Sequence, residues 1–96
     1  MTRIEKIRAA LQTQLQPESI VIEDESHLHA GHAGAATGRG HFRLRIVANC
    51  FAEKSAVARH RQIYAALDSL MQSDIHALSI EAITPAEAAP GATSSG

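Results

Sequence analysis

The chain has 96 residues, nine Lys plus Arg against ten Asp plus Glu, one cysteine and six histidines, which outnumber Phe42, Phe51 and Tyr64 together. That is enough for one small, nearly neutral domain and too little for a multidomain enzyme. A single cysteine, Cys50, excludes an internal disulfide framework and a four-cysteine metal site within one chain, and it suits a reducing, cytoplasmic setting.

Thr2-x-x-Glu5 has the form of a capping box, and Ile4, Ile7, Leu11 and Leu15 follow at helical spacing until Pro17, so a first helix is predicted over 3–15. The run of charges through MTRIEKIRAA leaves no apolar stretch of the kind a secretory signal needs, and no window is long enough for a membrane span. Ser19 to Glu23 is short and β-branched, as a first strand would be. Residues 26–40 carry four glycines and no periodicity. A loop that long in so small a domain points to function.

From His41 to Phe51 the pattern alternates, with Phe42, Leu44, Ile46, Ala48 and Cys50 on one side and Arg43, Arg45, Val47 and Asn49 on the other. Ser55 is placed to cap a second helix whose apolar face is read as Val57, His60, Ile63/Tyr64, Leu67 and Leu70/Met71. Residues 76–83 alternate again, putting His76, Leu78, Ile80 and Ala82 on one face. Thr84-Pro85-Ala86-Glu87 repeats the helix-start signature, and residues 88–96 read as a disordered tail behind a domain spanning 1–87.

The expected order is α-β-β-α-β-α. Strands 1 and 2 would be antiparallel, and strand 2, helix 2 and strand 3 a right-handed parallel unit, giving a three-stranded mixed sheet covered on one face by helices. A domain of this size buries only about 60–65% of its unfolded surface and holds no deep substrate cavity. No nucleophile stands beside a histidine in a convincing arrangement, and Gly34 to Gly40 lacks the Lys-Ser/Thr of a phosphate loop, so neither an enzyme nor a small-molecule substrate is expected.

The same topology gathers histidines. Strand 3, parallel to strand 2, starts at the edge where the long loop ends, which places His27, His29, His32, His41 and His76 on one rim. Neutral imidazole is a common metal ligand, and His-x-His-x-x-His in a glycine-rich loop can wrap an ion, so a mononuclear metal protein using His27, His29 and His32 is one reading. His60, on a helix face, and Cys50, at an inward strand position, read as packing residues. Residues 39–61 hold six cations against Glu53 alone, so a nucleic-acid surface using Arg43, Arg45, Lys54, Arg59 and Arg61 is another reading.

Asp24-Glu25-Ser26-His27-x-His29-x-Gly31-His32, then His41-Phe42, Phe51-x-x-Lys54, Arg59-His60-Arg61-x-x-Tyr64, Ile75-His76-Ala77-Leu78 and Thr84-Pro85-x-Glu87 together resemble the BolA family over about residues 3–87. The resemblance implies a class II KH-like α/β fold. It also implies a monothiol glutaredoxin partner and a shared 2Fe-2S cluster, with thiolates from the glutaredoxin and its glutathione and histidines from this chain. Matched by position, the ligands fall on His76 and His32, with His29 as fallback; a DNA-binding regulator of the BolA type is the alternative, and a homodimer is left open. Where this chain has Glu53, family members often have glycine, which implies a different turn or a strained one.

Overall fold

The computed structural model describes residues 2–26 and 40–89. The expected histidines 27, 29 and 32, and residues 90–96 of the expected tail, lie outside that range.

Helix α1 (Arg3–Leu15) begins where the capping box requires: Glu5 N–H donates to Thr2 Oγ1 at 3.1 Å and Thr2 N–H to Glu5 Oε1 at 2.7 Å. Donation from the Thr2 backbone, then from its side chain, holds the Glu5 carboxyl below its ordinary value. The helix ends on Gln16, which takes the left-handed conformation at φ 48° ahead of Pro17. Strands β1 (Ser19–Asp24) and β2 (Gly40–Val47) pair antiparallel, and β2 pairs parallel with β3 (Ile75–Ile83), in the order β1-β2-β3. Between β2 and β3 come α2 (Ala56–Leu67), capped by Ser55 Oγ, and the single turn α3 (Leu70–Ser73); after β3 comes α4 (Pro85–Ala88).

One face of the sheet supplies Ile22, Phe42, Leu44 and Ile46 to a core completed by Ile7 and Leu11 of α1 and by Ile63 and Leu67 of α2. The other face carries Val21, Glu23, Arg43, Arg45, Ser79 and Glu81 around a shallow groove. The element order, the strand order and the one-sided helical cover are those the sequence implies.

Four local expectations are corrected. Strand β2 stops at Val47 rather than running to Phe51, because the chain turns through a 3-10 segment at Asn49–Phe51. The turn breaks the period of two, so Phe51 is fully buried and Cys50 is half-buried against the core; Val47, the last residue of β2, is buried as well. The second helix does not run on to Met71, because Asp68 takes φ 49° and interrupts it, and α3 follows as a separate turn. Its buried face is centred on Ile63 and Leu67, where α1 packs, so Val57 and Tyr64 point outward at 58% and 42% exposure and His60 is half-buried.

The fourth correction concerns the start of β3. Gly40 is opposite Ile75 but His41 is opposite Ala77, so one extra residue is inserted in β3 between those pairs. Ile75, at 1% exposure, plugs the core, Leu78 faces the same way, and His76 and Ala77 are both exposed between them. His76 therefore leaves the inward face shared by Leu78, Ile80 and Ala82. A bulge of this kind re-aims a side chain at the end of a sheet without disturbing the rest of the strand.

Candidate functional site at the histidine rim

The bulge is seated by backbone and side-chain contacts on both sides. Gly40 N–H donates to the Asp74 carbonyl at 2.9 Å, fixing the point from which β3 departs. Position 40 has no room for a side chain: a Cβ would lie 2.7 Å from Ser26 Oγ and 2.8 Å from the Phe42 ring. Ser26 Oγ accepts from His41 N–H at 3.1 Å, and Glu25 N–H donates to the His41 carbonyl at 2.8 Å, so the His41 backbone is held on both its polar groups. Asp74, buried beside Ile75, accepts from Lys6 Nζ at 3.4 Å, lies 3.5 Å from Arg3 Nε and accepts from the Ser73 hydroxyl. The Ser73 hydroxyl first, then Lys6 and Arg3, hold its carboxyl below the ordinary value despite the opposing effect of burial. The start of β3 is thus tied to α1.

On this base the rings of His41 and His76 stand 5.1 Å apart between centroids, inclined at 51°. His41 is half-buried, with its Nε2 atom buried, and His76 is exposed. The exposed His76 ring can present a nitrogen to a ligand, with the His41 ring beside it. Among the described residues no group of three or more His, Cys, Asp or Glu side chains could hold a metal ion. Cys50 follows the far end of β2, on the order of 20 Å along the strand from His41 at the usual rise per residue. The rim can give nitrogen ligands and no thiolate from Cys50.

Of the rim residues expected from sequence, His76 and His41 are brought together, while His32, His29 and His27 fall outside the described range. The sequence reading gave His41 no role. Its signal was the parallel pairing itself, which sets Gly40-His41 beside Ile75-His76 at the common start of both strands.

The basic segment is largely neutralised from within. Arg43 pairs with Glu25 at 3.0 Å and lies 3.9 Å from Glu23, and Arg45 lies 3.5 Å from Glu81. Arg59 is largely withdrawn from solvent, with its side chain 12% exposed. Its guanidinium donates to Glu87 at 2.8 and 3.2 Å, to the Ala82 carbonyl at 2.9 Å and to the Lys54 carbonyl at 3.0 Å, and sits 6.0 Å from the Phe51 ring centre. The Glu87 carboxylate raises the Arg59 value, and Arg59, with the Thr84 backbone, lowers Glu87 to about 2. Of the five residues read as a nucleic-acid surface, Lys54 and Arg61 are the ones whose side chains make no ion pair among the described residues.

A mixed three-stranded sheet under two helices, with imidazoles at the common start of its parallel pair, defines a small α/β protein of the BolA fold. It superimposes on BolA1 from Arabidopsis thaliana with a TM-score of 0.78 at 36% identity, covering 93% of this chain and 99% of that one. The family model for BolA-like proteins matches residues 11–87, and the chain belongs to that family. It is 49% identical over 87 residues to SufE-like protein 1 of Arabidopsis thaliana, covering 85% of this chain but only 24% of that one's length. The DNA-binding transcriptional regulator BolA of Haemophilus influenzae is 37% identical over 84% of this chain and 76% of its own length. Among the described residues no helix is long and apolar enough to cross a membrane.

Proposed function

We propose that this chain is a non-enzymatic iron-sulfur adaptor that shares a 2Fe-2S cluster with a monothiol glutaredoxin. The observation that carries the reading is the bulge that lifts His76 out of the inward register of β3 and leaves it exposed 5.1 Å from His41. A satisfied packing histidine needs no such device. The donor set fits a shared cluster: the rim offers imidazole while Cys50 stands at the other end of the sheet, so the thiolates come from the glutaredoxin and its glutathione. His76 is the first ligand. The second comes from His32 or His29, matched by position in the family, or from His41, which the structure sets beside His76. Imidazole in place of thiolate raises the potential of a cluster and makes its retention sensitive to protonation. The chain's own part is to hold His76 outward through Ile75 and Asp74 and to keep the His41 backbone fixed by Ser26 and Glu25.

The test is anaerobic reconstitution with a monothiol glutaredoxin, read by visible absorption and size exclusion. A heterodimer with an altered spectrum is expected, and His76→Ala should abolish the change. If the His76→Ala variant still gives the altered, wild-type spectrum, the assignment is overturned. Substituting His32, His29 and His41 singly identifies the second ligand, and metal uptake by the chain alone would instead favour the mononuclear reading with His27, His29 and His32.

The Haemophilus relative's name, a DNA-binding transcriptional regulator, favours a second reading for this chain. With Arg43, Arg45 and Arg59 engaged by carboxylates, few cations remain to release counterions from a duplex. That reading predicts affinity for a promoter fragment above that for random DNA, falling steeply with salt; equal affinity for the two fragments reduces it to charge.

A further inference from the structure

Among the described residues, α2 is the helix that exposes large hydrophobic side chains. Val57, Arg61 and Tyr64 are spaced four and three residues apart, so they lie within about 60° of one another around the helix. Val57 and Tyr64 are two of the three large hydrophobic side chains exposed among the described residues. Arg61 stands between them and Lys54 lies just ahead of the helix; both are exposed and neither side chain has a carboxylate partner among the described residues. No acidic residue occurs from Lys54 to Leu67.

This charge is not explained by the stability of the helix. The N-terminus of a helix carries partial positive charge and favours acidic side chains in its first turn, yet α2 has none there and has Lys54 beside it. Arg59, on the same helix, has its charge matched by Glu87, so the fold shows how it neutralises a cation on α2 where it needs to. Lys54 and Arg61 stand beside exposed apolar surface with no ion pair among the described residues, and a carboxylate-bearing partner would supply the complementary charge.

We propose that this face of α2 is a second docking surface, separate from the histidine rim, for a protein partner that presents carboxylates to Lys54 and Arg61 and apolar side chains to Val57 and Tyr64. Apolar anchors at i and i+7 around a cation at i+4 match the spacing by which one helix face is read by another protein surface, and Tyr and Arg are residue types that dominate interface energies. The two uncompensated cations would neutralise about two phosphates, too few for firm duplex binding. The apolar side chains flanking Arg61 also fit a protein surface better than a phosphate backbone.

Tyr64 is the only tyrosine and the chain has no tryptophan, so its emission reports on this surface directly. The full chain is titrated with a synthetic amphipathic helical peptide bearing Leu along one face and Glu beside it, with the same peptide carrying Lys in place of Glu, and with a short DNA duplex. The Glu peptide should change Tyr64 emission saturably, and Arg61→Glu and Val57→Asp should each weaken that binding at least about tenfold. Both positions are exposed, and circular dichroism confirms that the variants are folded. Equal binding of the Glu and Lys peptides, saturation by DNA but not by peptide, or a change in emission with protein concentration alone would each overturn the proposal, the last by assigning the surface to a second copy.

Discussion

Where β2 and β3 end, Arg59 closes one guanidinium onto Glu87 and two backbone carbonyls and lies against Phe51, itself fully buried. Where the same strands begin, the ladder is broken by an extra residue, and an exposed His76 stands beside a half-buried His41. The first end satisfies the Arg59 guanidinium internally, so that cation is not on offer to a partner. The second fixes its backbone just as firmly, through Gly40, Ser26 and Asp74, and spends that rigidity on presenting side chains outward. Firm backbone and available side chain are independent properties, and this sheet separates them at its two ends.

The sharpest way to break the contrast is at the locked end. Phe51→Ala should lose about 3–5 kcal/mol, the usual result of emptying a fully buried aromatic site, measured by urea denaturation. Arg59→Ala should follow at about 2 kcal/mol, because it deletes charge-assisted bonds from a mostly buried guanidinium and leaves the Ala82 carbonyl without that donor. The same latch has a pH signature. Glu87 is lowered from 4.5 to about 2 in the folded chain, so its contribution is fully present above pH 4.5 and disappears as pH falls toward 2. Thermal melts across that window should show a drop that Arg59→Ala makes smaller.

Glu53→Gly tests the turn between the core-filling Phe51 and α2. Glu53 holds φ 63°, the strained form of the turn that the family's frequent glycine implies, so glycine there should stabilise the fold by about 0.5–1 kcal/mol. The smallest effect belongs to the open end. His76→Ala should change stability by no more than about 0.5 kcal/mol, being exposed, while removing the spectral change with glutaredoxin. A large loss of stability in that variant would erase the distinction between the two ends.

Much of this was legible in the sequence because local and global signals agreed. Both capping boxes, the run of Ile7 and Leu11, and the alternation from Phe42 to Ile46 each demand one structure, and the parallel pairing follows from an intervening helix. The face of α2 was not legible, because Val57, Ile63, Tyr64 and Leu67 fit two overlapping stripes and only packing against α1 selects one. The end of β2 was hidden because Asn49, Cys50 and Phe51 continue an alternation that the backbone abandons. The bulge was hidden for a subtler reason. His76, Leu78, Ile80 and Ala82 already alternate, and neither His76 nor Ala77 is offended by exposure, so nothing in their polarity marks the inserted residue.

That insertion is a property of chain length. Replacing His76 or Ala77 changes what is displayed but still leaves two residues between the inward Ile75 and Leu78, so the displayed position survives any substitution that keeps the strand. Deleting Ala77 would leave a single outward residue between those two anchors and set His76 directly across from His41. The rim is therefore tolerant of point mutation in its backbone and sensitive to a one-codon deletion, and the count of residues from Ile75 to Leu78 tells more about a relative's rim than their identities do.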